Sequence, residues 1–483
     1  MFILLKRKIK SLLTPGYKKV IKQLAENQNE LLNAQRDILD KISVLSTITT
    51  LKHNSEFLQK SIDNVYQQNI SLDKCINTVF NYTSTIRDNV DYYQSINTVE
   101  LEKAMFSNPE YLSSLFTDLS NKKILIAGFY GAYNLGDELM LQTLLSYIPK
   151  DMLKSVTVLL YRNQMYDQLN LPPVNFLHYP CTFFDYDFLA KRFDVLIWGG
   201  GAIIDDTYYT SRRTNLLGNM LIDLSDRFIK FDKKIAAIGL SASRQLTNIQ
   251  YIEKLKFIAE KADYFSVRDK LSAELLKNYG IKNITEIPDI VFASKYWETH
   301  KQFIQKKDVD CVGISIVCQN ETTEILNKLL DMINAEFGNE CTIKLIPFFH
   351  LNENDVVFYK KFKDNLNNPK QVVICEYNNS IEEVCKEVDS TDIMINMRYH
   401  AMLISQMLGK PSLNIMYELS PHYYNKVTHI INEFGTIENM VTLSDFTNRE
   451  FKELKSLKRP IDRYDLYEKA SRKIEEILNK YVR

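Results

Sequence analysis

Apolar residues recur at helical intervals early in the chain, and in short runs separated by amphipathic stretches thereafter. Val20, Leu24, Leu31, Ile38, Ile42 and Leu45 are spaced by three, four and seven residues. That spacing places them on one helical face. Lys, Glu, Gln, Asn and Asp fill the intervals, which predicts a coiled coil or an antiparallel helical hairpin. The first 120 residues contain a single glycine, Gly16, beside Pro15. The Gln/Asn-rich composition makes such a coil weak on its own. It is expected to self-associate, to contact a partner or to form a stalk; the plainer alternative is a helical extension packed on the body.

From Lys122 the pattern changes. Apolar runs at 124–129, 156–161, 194–201, 234–240, 264–267, 284–289, 311–317, 341–349, 371–377, 392–397 and 411–417 alternate with amphipathic stretches. Helices are predicted at 137–148, 250–261, 269–278, 322–336, 380–388 and 399–408. Alternation of this kind predicts βαβ units and parallel sheets. Residues 293–309 are polar and interrupt it, as a linker would. The predicted organisation is therefore α/β: a helical region at 1–120, then two Rossmann-like lobes at 121–300 and 301–483, facing each other as in GT-B-type enzymes. A last helix at 464–482 carries Leu466, Ala470, Ile474, Ile477 and Leu478 on one face, and is expected to cross back to the first lobe.

Composition narrows the function classes. Hydrophobic residues make up 45% and charged residues 25% of the 483 positions, a soluble globular balance. Lys+Arg and Asp+Glu both number 60, so no basic excess points to nucleic acid. Seven cysteines without a C-x-x-C pair read as reduced, mostly buried thiols of a cytoplasmic protein. No run is long enough to span a membrane. The leader MFILLKRKIKSLL places Phe2, Ile3, Leu4, Leu5, Ile9, Leu12 and Leu13 among Lys6, Arg7, Lys8 and Lys10. It reads equally as an amphipathic contact of residues 1–13 with the inner face of a membrane and as a solvated lead-in.

Four segments carry candidate chemistry. The first, ILIAGFYGAYNLGDELM, takes a strand through Gly128, Gly131 and Gly136 into a helix at Asp137–Glu138. Glycines permit close backbone approach, and a helix start favours an anion; the same residues also suit plain helix initiation. The pattern is not G-x-G-x-x-G, and no G-K-[ST] follows. The second, DVLIWGGG, places Gly199, Gly200 and Gly201 at the carboxyl end of a strand, where open α/β sheets bind ligands; a tight packing turn is the bland alternative. In the third, Arg268 ends the strand YFSV, with Pro288–Asp289 at the end of the next. Arg grips phosphate or carboxylate bidentately, although Arg268 and Asp269 could also form a surface cap. In the fourth, Arg398, Tyr399 and His400 follow DIMINM. A lone His is more often packing than catalysis, but this one sits between strand and helix beside a cation. The seven histidines show no metal-ligand spacing, so no metal is expected.

Taken in order, G-F-Y-G-A-Y-N-L-G-D-E (128–138), W-G-G-G (198–201), S-V-R-D-K-L-S (266–272) with P-D-I-V-F (288–292), and R-Y-H-A (398–401) with G-K-P (409–411) resemble the polysaccharide pyruvyltransferase family. The resemblance covers about residues 122–430. It implies an enzyme of GT-B-like fold, without metal or other cofactor. Such an enzyme transfers a pyruvyl unit from phosphoenolpyruvate to a sugar of a cell-surface glycan or its lipid-linked precursor. It implies Arg268 on phosphate or carboxylate, and His400 as acid or phosphate contact with Arg398 assisting. It also implies the Asn134, Gly136, Asp137 and Glu138 turn at the donor phosphate or acceptor, and Gly199–Gly201 lining the cleft. The family commonly has a lysine after the last strand in a Y-[DE]-x-K setting; here Tyr417–Glu418–Leu419–Ser420 stands, with His422 or Lys426 as candidate replacements. Two other readings are a GT-B glycosyltransferase using a nucleotide sugar, with Glu418 as its ribose-binding candidate, and a non-catalytic assembly protein centred on the coil.

Overall fold

The computed structural model describes residues from Lys123 to Val482, apart from 133, 161–170, 179–182, 207–216, 243, 299–307, 318–321, 350–354, 367, 377–379, 417–420 and 449–452. Of the first 122 residues it describes Asn33 alone. The predicted coil, the 1–13 leader and Ser420 thus lie outside the described residues, as does the side chain of His422.

The first sheet is built from β1 (Ile124–Ala127), β2 (Val156–Leu160), β3 (Asn175–His178), β4 (Val195–Trp198), β6 (Lys234–Ala242), β7 (Tyr264–Val267) and β8 (Thr285–Glu286) in the order β3-β2-β1-β4-β6-β7-β8. A short β5 (Gly201–Ile204) also pairs with β6. Every ladder is parallel. Strands buried on both faces must be apolar throughout, and ILIA, VTVLL and VLIW are buried at every position.

The second sheet repeats the plan with β9 (Cys311–Ser315), β10 (Thr342–Leu345), β11 (Val372–Ile374), β12 (Ile393–Asn396), β13 (Ser412–Met416) and β14 (Met440–Thr442), ordered β11-β10-β9-β12-β13-β14 and again parallel. This is the expected pair of Rossmann-like sheets in a GT-B-like chain. In each, the strand order reverses beside the first strand, between β1 and β4 and between β9 and β12. A reversal opens a crevice at the carboxyl ends of the strands. All four chemical segments leave carboxyl ends of strands at or near these crevices.

Helix α1 (Leu135–Ser146) follows β1, and begins two residues before the predicted start. Gly136 and Asp137 therefore lie in its first turn. The helices α2 (Phe183–Arg192), α3 (Leu217–Lys230), α4 (Ile249–Lys261) and α5 (Lys270–Asn278) complete the first half. The second half carries α6 (Thr322–Phe337), α7 (Asp355–Asp364), α8 (Ile381–Asp389), α9 (Tyr399–Met407), α10 (Pro421–Glu433), α11 (Leu443–Asn448) and α12 (Tyr464–Val482).

The two halves share apolar surface. One core cluster joins Ile124, Leu139, Met140 and Leu144 to Val384, Met402, Leu403 and Ile431, and onward to Leu466, Ile474 and Leu478 of α12. Helix α12 packs on the turn Ile290–Ala293 of the first half. The Tyr147 hydroxyl lies 2.6 Å from the Ala293 carbonyl and 2.8 Å from Ser471 Oγ of α12. The polar 293–309 stretch opens with a second turn, Lys295–Glu298, whose Trp297 is buried and donates to the Val291 carbonyl. Cys311, Cys341, Cys375 and Cys385 are free and buried. Among the described residues, no helix is long and apolar enough to cross a membrane.

Candidate active site

The start of α1 is held by the other half of the molecule. Asn134 forms an antiparallel bridge with Phe349, and the Leu135 amide donates to the Phe348 carbonyl at 3.0 Å. The Asn134 carbonyl accepts from the Asp137 and Glu138 amides at 3.0 and 3.1 Å. Of the first-turn amides, Gly136 N is thus left without an acceptor among the described residues, at the positive end of the helix dipole.

Gly136 is glycine because of what faces it. A Cβ there would stand 1.8 Å from His400 Nδ1, well inside van der Waals contact. The imidazole at the start of α9 therefore rests on the bare backbone of α1. Its other nitrogen, Nε2, lies 3.5 Å from Arg268 Nη1 and 3.9 Å from Asp289 Oδ2. Arg268 follows β7 in the first half; His400 follows β12 in the second. Residues separated by 132 positions thus meet where the two crevices face each other.

Arg268 is not a surface cap. Its side chain is 4% exposed and donates to Asp289 Oδ2 at 2.7 Å. The guanidinium lies over the Tyr399 ring, 4.7 Å from its centroid, and Nε makes no hydrogen bond to a described residue. Burial works against the charge, but the neighbouring anions, Asp289 first among them, outweigh it and keep the guanidinium protonated. Asp269 instead caps α5, accepting from the Ser272 amide at 2.7 Å. Asp289 also caps its own turn through the Val291 amide at 3.0 Å.

Two further carboxyls complete the cluster. The Glu138 carboxyl accepts from the Gly131 amide at 2.8 Å and so closes the Gly-rich loop onto α1. Burial pushes its pKa well up and Asp137 adds to this, against the opposing pull of the Gly131 and Ala132 amides. Asp137 is 7% exposed. Burial raises its pKa to about 7, Arg268 opposing and Asp289 reinforcing.

The glycine triplet has a different use at each position. The Tyr130 hydroxyl donates to the Gly199 carbonyl, and that ring occupies the space a Gly199 side chain would need. Gly200, at φ +85°, makes room for Ile290 and Met140; Gly201, at φ +94°, faces Asp137, with a Cβ there falling 3.0 Å from Oδ1. The triplet bends the chain from β4 into β5, a strand-to-strand join in place of a strand–helix turn.

Arg398 turns elsewhere. It donates to Asp355 Oδ1 at 2.8 Å and stacks over the Phe349 ring. Asp355 Oδ2 in turn accepts from the Phe348 and Phe349 amides at 3.0 and 2.9 Å. Arg398 thereby braces the strand end that docks on Asn134, one shell away from His400. Arg268, His400, Gly136, Asp137, Glu138 and Gly201 come together as a cluster; Arg398, Gly199 and Gly200 support it. The sequence assigned no role to Asp289, although it stands in the P-D-I-V-F motif, nor to Tyr399 beside His400, and Tyr130 and Asp355 were overlooked. A buried Arg must find an anion, which was the one available signal for Asp289.

Two parallel α/β sheets with facing crevices, joined by the buried contact of Arg268 with His400, define a two-lobed scaffold. The polysaccharide pyruvyl transferase family profile matches residues 134–418, more than half of the chain. The chain belongs to that family and is a transferase. No curated protein sequence matches it. Among solved structures it is similar to a UDP-GlcNAc 2-epimerase from Methanocaldococcus jannaschii, at 12% identity and TM-score 0.46 over 74% of this chain and 99% of that one. It is also similar to the Neisseria meningitidis UDP-GlcNAc 2-epimerase bound to UDP-GlcNAc, at 12% identity and TM-score 0.41 over 74% and 100%. A Thermobaculum terrenum O-GlcNAc transferase mutant matches at 11% identity and TM-score 0.36, over 75% and 67%.

Proposed function

We propose that the enzyme transfers a pyruvyl unit from phosphoenolpyruvate to a sugar of a cell-surface glycan or its lipid-linked precursor, forming a ketal and releasing phosphate. The observation that carries this reading is the approach of Arg268 and His400 to 3.5 Å from opposite lobes. Two basic groups at such a distance repel when both are charged, and a bound anion relieves that repulsion. Phosphoenolpyruvate offers a phosphate and a carboxylate close together. Arg268 binds one of them through its guanidinium, whose Nε is unused. His400 and the Gly136 amide take the other. C3 then gains a proton, one acceptor hydroxyl attacks C2, phosphate departs towards Arg268 and His400, and a second hydroxyl of the sugar closes the ketal.

The Arg268 and His400 side chains are 4% and 10% exposed, so the donor enters when the lobes part. Closure by α1 on His400 then excludes water, which would otherwise compete with the sugar hydroxyl. A lipid-linked acceptor would bring the enzyme to the inner face of the membrane, where the 1–13 leader would add contact.

Phosphoenolpyruvate is expected to raise the melting temperature more than UDP-, GDP- or CMP-sugars do in a thermal-shift comparison. Stabilisation by a nucleotide sugar and none by phosphoenolpyruvate would establish the glycosyltransferase alternative instead.

A further inference from the structure

We propose that Asp137, and not His400, is the acid that delivers the proton to the vinyl carbon of the donor. This assignment rests on phosphoenolpyruvate being the donor.

His400 is poorly placed to give up a proton from Nε2. That nitrogen faces Arg268 Nη1 at 3.5 Å, closer than the 3.9 Å to Asp289 Oδ2, and Asp289 Oδ2 is itself already engaged with Arg268. A guanidinium has donors only, so the nitrogen beside it is favoured as an acceptor. Nδ1 lies against the Gly136 backbone. When an anionic oxygen enters between the lobes, a protonated Nε2 donates to it, which commits that proton to holding the anion.

Asp137 is placed for the transfer. Its carboxyl accepts no hydrogen bond from a described residue, unlike Glu138, which is tied to Gly131. One oxygen, Oδ1, faces Gly201: a Cβ there would stand 3.0 Å from it, so a side chain at 201 would press on the carboxyl. The next residue back, Gly136, touches His400, so acid and phosphate anchor share one helical turn. The charged groups acting on the carboxyl are Arg268 and Asp289 from the first half and Glu138 from its own helix, with His400 of α9 against the preceding residue, Gly136. Burial among them holds Asp137 protonated up to about pH 7. A trianionic donor adds further negative charge beside it and favours the neutral acid still more.

The step balances. The C2–C3 π pair of phosphoenolpyruvate takes the Asp137 proton at C3, giving a methyl group and an oxocarbenium-like C2. A sugar hydroxyl adds to C2, and its proton returns to the Asp137 carboxylate. The C2–O bond to phosphate then breaks, and the second hydroxyl closes the ketal while its proton leaves with phosphate.

Asp137→Asn keeps the shape and removes the acid, and is expected to reduce turnover by about a hundredfold to ten-thousandfold, while phosphoenolpyruvate still raises the melting temperature. In wild type, with sub-saturating phosphoenolpyruvate and a mixture of methyl hexopyranosides, kcat/KM is expected to be flat below about pH 7 and to fall above it. In Asp137→Asn the residual rate loses that limb, whereas in His400→Gln the residual rate keeps it. A limb retained in Asp137→Asn and lost in His400→Gln overturns the assignment, as does normal turnover by Asp137→Asn. If wild type neither binds nor consumes phosphoenolpyruvate, the donor reading falls and takes this assignment with it. Asp137→Glu, which keeps the acid on a longer arm, is expected to restore a titrating limb; its absence in a folded, donor-binding variant also counts against the role.

Discussion

Arg268→Met is expected to destabilise the protein by about 3–5 kcal/mol and to abolish turnover. The substitution keeps an apolar stem of similar length. It strips the guanidinium from Asp289, whose side chain is fully buried, and breaking a buried ion pair by removing one member costs about that much. Asp289 also caps the turn Ile290–Ala293, against which α12 packs, so the loss spreads to the contact between the two halves. Denaturant unfolding measures the first effect and phosphate release the second. Arg268→Lys separates them. A lysine retains the charge and part of the stability, but cannot present a planar fork to both Asp289 and an anion. A stable, fully active Arg268→Met protein would show that the buried pair matters neither to the fold nor to the site.

The second large effect is expected from Gly136→Ala. The two contributions have opposite signs. Alanine is a better helix former than glycine by about 1 kcal/mol. Against this, the new methyl would lie 1.8 Å from His400 Nδ1, and forcing atoms into a packed interface costs typically about 1–3 kcal/mol. The steric term wins, and it acts on a single residue. His400 must rotate away from Arg268, or α1 must retreat from α9. Stability is therefore expected to change by no more than about 2 kcal/mol, while phosphoenolpyruvate-dependent turnover falls as far as in His400→Ala. Gly136 is not among the glycines at positive φ, so backbone strain cannot account for the result. Alanine tolerated here with normal turnover would mean that the catalytic form does not include the α1–His400 contact.

These two positions mark what was legible in the sequence. The sheets were, because a strand covered on both faces is apolar throughout, and runs such as ILIA and VLIW can hardly be anything else. The apolar stripe of α12 was read at Leu466, Ala470, Ile474, Ile477 and Leu478, since a buried stripe leaves a clean period, while Tyr467, Tyr481 and Val482 beside it were missed. The clustering of scarce glycines pointed to both loops of the first crevice. Partners across the fold were not legible. Asp289 and Asp355 are separated from their arginines by 21 and 43 residues, and no local pattern encodes such pairing. Helix α7 and strand β3 escaped as well. Asn175–His178 has four residues, and Asp355–Asp364 places three lysines on a short helix with few buried positions. Nor could spacing tell that Arg398 braces Phe348 and Phe349 while His400, two residues on, meets the other lobe.

In the proposed reaction the two lobes bring Arg268 and His400 onto phosphoenolpyruvate. The most direct measurement incubates the full chain with phosphoenolpyruvate and a mixture of methyl hexopyranosides, following phosphate release together with the methyl signal of a pyruvate ketal by NMR. Phosphate and ketal are expected to appear in step, only when both substrates are present, and to be lost in Arg268→Met and His400→Ala. Glycosyl transfer from a nucleotide sugar, with phosphoenolpyruvate left untouched, would contradict the account.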